Sequence, residues 1–193
     1  VPGDKPESKG QSKCRQAEAA KIMSIIDELR DDPEFKNLSV GVITFYSKQV
    51  TTLFEEAAKP EHGYVIKDKD GYSIAPKYRT LDGDKEKFRI GSVDSFQGKE
   101  FDIVILSTVR SNSQSREDGN EKRVFGFLTL KNRLNVAFSR AQKLVIVVGD
   151  ANMFEDSYAE KYVTGIYDFF IFIGKEVQKS YRMHYSYEQN SIL

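Results

Sequence analysis

The chain is predicted to be an α/β domain, with a mostly parallel sheet covered by helices on both faces and a small hairpin inserted at the surface. Three observations carry this. Short β-branched apolar runs at 38–44, 103–108 and 144–148 read as strands buried on both sides. Segments with helical spacing alternate with them, which is the rhythm of parallel strands joined by crossovers. Clusters of Asp, Gln, Glu, Arg and Ser precede the last two runs, and α/β proteins carry ligand chemistry on such loops because the sheet holds them rigid.

Each element follows from local pattern. Residues 1–12, rich in Pro, Gly, Ser and Lys, are expected to form a flexible leader. Over 13–30, Ala19, Ile22, Ile26 and Leu29 recur at helical spacing, and Asp31, Asp32 and Pro33 stop the helix. A buried strand at 38–44 is followed by a helix at 47–58 that Pro60 closes. Segment 61–88 breaks the rhythm: two short apolar runs flank KDKDG, predicting a hairpin that turns at Asp70 and Gly71. It reads as a surface insertion outside the core. The alternation resumes with a strand at 88–93, a polar turn at 94–98, the strand at 103–108 and a loop through Asn120. A helix near 131–141, the strand at 144–148 and helical segments from 151 to about 177 complete a domain spanning 13–177. The tail, 178–193, has no period.

Composition limits the function classes. The 193 residues carry 29 Lys and Arg against 29 Asp and Glu, so any basic surface must be local. The single Cys14 excludes a disulfide framework, and with only His62 and His184 no metal site is expected. No apolar run approaches the ~20 residues of a membrane span, and the charged N-terminus does not read as a signal peptide. The expectation is a soluble, monomeric, intracellular domain, cytoplasmic or nuclear, with no membrane partner.

Two clusters carry chemistry. In VDSFQGKEFD, Gln97 and Gly98 permit a tight turn that leaves Glu100 at the strand edge, where a carboxylate can accept hydrogen bonds from neighbouring hydroxyls such as those of a ribose. Asp94 and Asp102 are expected to brace the turn through backbone amides. Turn and cap roles for all three acids explain the spacing equally well. In RLNVAFSRA, Arg133 and Arg140 are seven residues apart, two helical turns on nearly one face, with no acidic neighbour in sequence. Guanidinium groups so placed suit phosphate oxygens, although a solvated or salt-bridged face is the plainer reading of that cluster alone.

Together with VGVITFYSKQ upstream, these clusters resemble in order and spacing the second RecA-like lobe of superfamily 1B helicases, the group of senataxin and the nonsense-decay helicase. SVDSFQGKEFDIVILSTVRSN resembles that family's motif V, and GFLTLKNRLNVAFSRAQ its motif VI. The resemblance covers roughly residues 13–150. It implies a RecA-like fold, ATP and Mg²⁺ as cofactors, a single DNA or RNA strand as partner, and 5′-to-3′ travel. It implies that Arg140 is the arginine finger, that Gln97, Gly98, Glu100 and Arg133 lie at the nucleotide, and that Thr44, Tyr46, Ser92, Ser95 and Arg110 lie on the strand-binding face. Phe45 stands where the family has Pro, Asn132 where motif VI has its first Arg, and Phe138-Ser139 where it has Leu-Thr. The tail's YRMH echoes a motif that belongs well before Thr44, and coincidence is the reading adopted.

No G-x-x-x-x-G-K-[ST] phosphate loop occurs, and the Asp27-Glu28 pair falls within a predicted helix instead of at a strand end. A finger without a phosphate cradle has nothing to act on. The expectation is therefore the C-terminal motor lobe of a helicase. It would need an N-terminal RecA-like lobe to hold most of the Mg²⁺ and would be inactive alone. The alternative is a nucleic-acid or protein docking module without motor activity, using the hairpin or the aromatic segment 158–172, although core packing is the preferred reading of those aromatics.

Overall fold

The computed structural model describes residues 6–81 and 85–175. In chain order its strands are β1 (Val40–Thr44), β2 (Val65–Asp68), β3 (Gly71–Ile74), β4 (Phe88–Ser92), β5 (Phe101–Ser107) and β6 (Ala141–Val148). The helices are α1 (Gln16–Asp31), α2 (Ser47–Ala57), α3 (Glu121–Val124), α4 (Lys131–Phe138) and α5 (Ser157–Tyr162), and one more runs over 164–175. Strands β1, β4, β5 and β6 pair in parallel, in the order β4-β1-β5-β6, while β2 and β3 form a separate antiparallel hairpin. This is the α/β arrangement that the pattern predicts, consistent with the RecA-like fold that the resemblance implies.

The apolar runs show no polar alternation because both sheet faces are covered. Val42, Ile103 and Ile105 point to one side, where Ile22, Met23 and Ile26 of α1 and Leu53 of α2 meet them. Ile43, Val104 and Leu106 point to the other, against Leu134 and Ala137 of α4 and Ile166 beyond α5. Each fully buried side chain of this kind stabilises the fold by ~1.5–3 kcal/mol. The aromatics after residue 150 mostly serve this second face: Tyr158, Tyr162 and Tyr167 pack against it, whereas Phe172 is exposed.

The helix over 13–30 begins at Gln16 and ends where expected. Asp32 is extended at φ −81° and ψ 126°, the conformation favoured for a residue before proline. The expected strand 144–148 starts three residues earlier, at Ala141. The helix expected over 131–141 stops at Phe138.

The β4–β5 connection positions the polar cluster. Residues 93–100 must return from the C-terminal end of β4 to the N-terminal end of β5, passing β1, and they do so with only the 3-10 turn Val93–Phe96. Two glycines let this short strap lie flat on the sheet. A Cβ on Gly41 would stand 2.7 Å from Cε1 of Phe96 and 3.0 Å from Cδ2 of Phe101; one on Gly91 would stand 2.2 Å from Oγ of Ser95.

Three expectations are corrected here. The hairpin's turn residues are Lys69 and Asp70, with Gly71 (φ 123°) opening β3, so the turn lies one residue earlier than expected. The insertion is not wholly outside the core, because Tyr64 and Val65 are buried in the cluster with α1 and α2, and Tyr72, Ile74 and Tyr78 pack against it. The leader is tied down where it is described. Ser12 Oγ accepts from Lys48 N at 3.0 Å, capping α2, and Ser8 N donates to Cys14 O at 2.9 Å. Residues 1–5 and the tail, including YRMH, lie outside the described residues.

Candidate functional site

The N-terminal edge of β5 and β6 gathers one group of predicted residues. Phe96 to Lys99 is a type II turn: Gln97 has φ −60° and ψ 127°, Gly98 has φ 73°, and Lys99 N donates to Phe96 O at 3.1 Å. Glycine is needed at 98 for its backbone angle and not for space, since a Cβ there would meet nothing within 4 Å. The turn leaves Gln97, Gly98 and Glu100 exposed. Beside it, Phe101 N donates to Arg140 O at 2.9 Å, so Glu100 and Arg140 are flanking residues of two paired strands on one rim. Glu100 accepts from Gln142 Nε2 at 2.8 Å. The half-buried Arg140 guanidinium donates to Val136 O at 3.2 Å and Ser139 Oγ at 2.9 Å, and no carboxylate among the described residues pairs with it. A cation held by neutral acceptors beside an open turn keeps its charge for an anionic ligand.

Arg133 lies elsewhere. Arg140 is past the end of α4, so the two arginines are not successive turns of one helix. Arg133 finds an acid that sequence proximity hides: its Nη2 is 2.8 Å from Oδ2 of Asp94, on the strap between β4 and β5. It also lies over the Phe127 ring, 5.7 Å from the centroid. Asp94 therefore clamps α4 to the strap instead of bracing its own turn through amides. Asp102 does accept a backbone amide, but across the sheet. Ser39 N and Oγ donate to it at 2.9 and 2.7 Å, with Lys85 and Lys143 Nζ at 2.9 and 3.1 Å. Burial alone would raise its pKa; the donors from Ser39, Lys85 and Lys143 outweigh that and hold the carboxyl well below the usual range.

The residues expected on the strand-binding face all fall at the opposite, C-terminal edge, but they differ in access. Ser95 is exposed and donates to Ser92 O at 2.7 Å; Ser92 is half-buried. Thr44 is fully buried, and its hydroxyl has no partner among the described residues, so it withholds that group from solvent. Tyr46 is buried as well, with its hydroxyl accepting from Phe127 N at 3.3 Å. Arg110 is a tie, not a free cation: Nε donates to Val124 O at 2.9 Å, Nη2 donates to Arg123 O, and Nη1 is 3.1 Å from Oε1 of Glu7. Thr44, Tyr46 and Arg110 are thus buried, whereas Ser92 is half-buried and Ser95 is exposed.

A buried polar network fixes this edge. Glu18 is fully buried; it accepts from Ser107 Oγ at 2.7 Å and Val109 N at 2.9 Å, with Arg15 Nη1 at 3.3 Å. Burial pushes its carboxyl up, against the lowering effect of Ser107, Val109 and Arg15. Gln49 bridges Arg15 N at 2.7 Å and Ser107 Oγ at 3.0 Å. Val109 has φ 68°, a left-handed conformation that strains a β-branched residue, and Glu18 holds it there. Glu7 then accepts from Ser111 N at 2.8 Å and Asn112 Nδ2 at 3.2 Å. Sequence reasoning gives no role to Glu7, Arg15, Glu18 and Gln49, because apart from the local pairs Arg15–Glu18 and Glu7–Lys13 their side-chain partners lie more than thirty residues away. A charged residue on the apolar stripe of α1 was the available signal.

Above this edge opens a cavity of about 580 Å³ whose wall includes Lys13, Tyr46, Lys122, Arg123, Phe127 and Leu130. Gly126, at φ 57°, lets the chain close over Tyr46, since a Cβ there would stand 2.3 Å from its hydroxyl oxygen.

The family model described as "AAA domain" matches residues 2–152. The putative helicase MOV-10 of Gallus gallus is 34% identical over 154 residues, covering 77% of this chain and 14% of that protein. The ATP-dependent helicase NAM7 of Saccharomyces cerevisiae is 36% identical over 107 residues, 52% of this chain and 10% of that protein. From the same yeast, the DNA polymerase alpha-associated DNA helicase A is 33% identical over 144 residues, 75% of this chain and 16% of that protein. The chain thus spans between a tenth and a sixth of the length of these relatives. It belongs to the AAA-domain family, within the superfamily 1 helicase-like group.

Proposed function

We propose that this chain is the C-terminal motor lobe of an ATP-dependent helicase, closing over a nucleotide held by an N-terminal RecA-like lobe and gripping a single nucleic-acid strand. The observation that carries the reading is the shared rim. Glu100 and Arg140, which has no acidic partner among the described residues, flank paired strands joined by the 2.9 Å bond from Phe101 N to Arg140 O. Exposed backbone at Gly98 and an uncompensated guanidinium suit a triphosphate approaching from one side.

When bound, ATP supplies the γ-phosphoryl group that is transferred to water. Arg140 would direct its fork at that group and stabilise the charge that develops there. Glu100 would accept from a sugar hydroxyl, the turn at Gln97 and Gly98 would allow the close approach, and Arg133 would fix α4 against the strap. Mg²⁺ would be held mainly by the N-terminal lobe, so the chain alone is inert as an ATPase. At the other edge, the exposed Ser95 and the neighbouring Ser92 would position strand phosphates without reading sequence. Similar proteins include both an RNA helicase and a DNA helicase, and phosphate contacts serve either strand.

The test uses the full-length protein. Arg140→Ala is expected to lower nucleic-acid-stimulated ATP hydrolysis by roughly 10³–10⁵. Arg140→Lys should rescue little, because an ammonium lacks the planar fork. Undiminished hydrolysis by Arg140→Ala overturns the assignment.

A further inference from the structure

Segment 121–133 holds four cations and one acid in a chain whose overall charge is zero. Its surface is also unusual in apolar exposure. Phe127 and Leu130 are 42% and 43% exposed, while their neighbours Phe125 and Leu128 are buried. The exposed pair lies in the wall of the 580 Å³ cavity, and Leu130 continues into a second, open depression of about 420 Å³ lined by Lys131 and Arg133. Lys122, Arg123 and Lys131 form no ion pair among the described residues. The one carboxylate in the cavity wall, Glu7, is taken up by Lys13, Arg110, Ser111 and Asn112.

We propose that this pocket takes a splayed nucleobase of the bound single strand, stacked on Phe127, while Lys122, Arg123 and Lys131 receive the flanking phosphates. The proposal rests on the strand-binding reading above and adds a subsite to it. Four features fit a base. The Phe127 ring is supported from beneath by Tyr46, with centroids 5.3 Å apart. Phe127 N donates to the Tyr46 hydroxyl, and Gly126 permits the close approach, so the ring is held rigidly and loses little entropy on stacking. Arg133 lies 5.7 Å from the ring centroid and is itself anchored by Asp94, which ties the platform to the strap carrying Ser95. Cations surround an aromatic face, and this combination holds single strands: the backbone meets charge and the base meets a π surface, without sequence preference. Tyr46, buried here, becomes the support of the platform and not a contact.

The test measures binding of two oligonucleotides to the chain by fluorescence anisotropy: a normal single strand and one with consecutive abasic sites. The wild type should prefer the normal strand, and Phe127→Ala should erase the preference by weakening normal-strand binding about 5- to 150-fold, the range for losing one stacked base. Phe127→Leu keeps apolar bulk without the π face and guards against a folding artefact; it should lose most of the preference, with an unchanged thermal midpoint. Lys122→Ala and Lys131→Ala should weaken both strands alike and flatten the salt dependence by about 0.7 log unit per decade each. Strand binding that is indifferent to Phe127→Leu and Phe127→Ala overturns the pocket yet leaves the motor reading intact. Failure of the chain to bind either strand also overturns it, whereas the Arg140 experiment decides the motor reading separately. Loss of ATPase coupling in the full-length protein on Phe127→Leu, with no change in strand affinity, would assign the patch to lobe contact and overturn the pocket.

Discussion

Replacing Gly41 with alanine tests the physical basis of the strap that places Glu100. The added Cβ would stand 2.7 Å from Cε1 of Phe96 and 3.0 Å from Cδ2 of Phe101. Carbon pairs pack at about 3.5–4.0 Å, so the Phe96 ring must retreat by roughly 0.8 Å or more. It has nowhere to go: Phe96 is fully buried, and Phe101, 1% exposed, packs against it in a tilted arrangement with ring centroids 5.4 Å apart. Overpacking of this kind costs about 1–3 kcal/mol, offset by about 0.4–1 kcal/mol from the reduced freedom of the unfolded chain. The net loss is about 1–2 kcal/mol, or a fall of roughly 2–8 °C in the thermal midpoint for a domain this size. Circular dichroism melts and urea titrations read it directly. The decisive measurement is a cycle with Phe96→Leu. The smaller side chain should recover at least about 0.5 kcal/mol in the Gly41→Ala background, where independent sites would simply add. Wild-type stability of Gly41→Ala, or strict additivity of the pair, would refute the steric account of the strap.

Other consequences concern charge and buried polarity. Glu18→Ala removes the carboxylate shared by Arg15, Ser107 and Val109 and should destabilise the chain by about 3–5 kcal/mol in urea denaturation, with faster hydrogen exchange at the Val109 amide; an effect under 1 kcal/mol would sink the network's assigned weight. The folded-state pKa of Asp102 is depressed, so its contribution is present above its ordinary value of 3.8 and is lost as the pH falls below that. The wild type should therefore lose urea resistance between pH 5.5 and 3 by more than Asp102→Asn does, and parallel losses would contradict the assigned pairing with Ser39, Lys85 and Lys143.

Much of the frame is legible in local pattern because burial on two faces leaves a local signature. The runs around Ile43, Val104 and Val147 could only be strands covered on both sides, and Gln97-Gly98 could only be a turn that accepts a positive backbone angle. The rim that joins Glu100 to Arg140 was legible only in part: Glu100 reads as a strand-edge residue, whereas Arg140 reads as helical and proves to precede β6 directly. The helix boundary at Phe138 was less so, because Ser139 and Arg140 are as compatible with a further turn as with the strand that begins at Ala141.

Long-range partnership was not written in any window of the chain. Asp94 and Arg133 are 39 residues apart, Glu7 and Arg110 more than a hundred, and no period connects them. Charge alone could not tell a guanidinium that ties loops together, as Arg110 does, from one with no acidic partner among the described residues, as Arg140 is. Nor could hydrophobicity separate Phe125, buried, from Phe127, half-open beneath a cavity, because GFL reads identically whichever ring the fold covers. The chain's residues by themselves determined which segments are strands and on which loops the chemistry sits, since backbone geometry and burial act between near neighbours. Strand order, ion pairing and exposure were decided only when distant segments packed, because those quantities depend on where other parts of the chain come to rest.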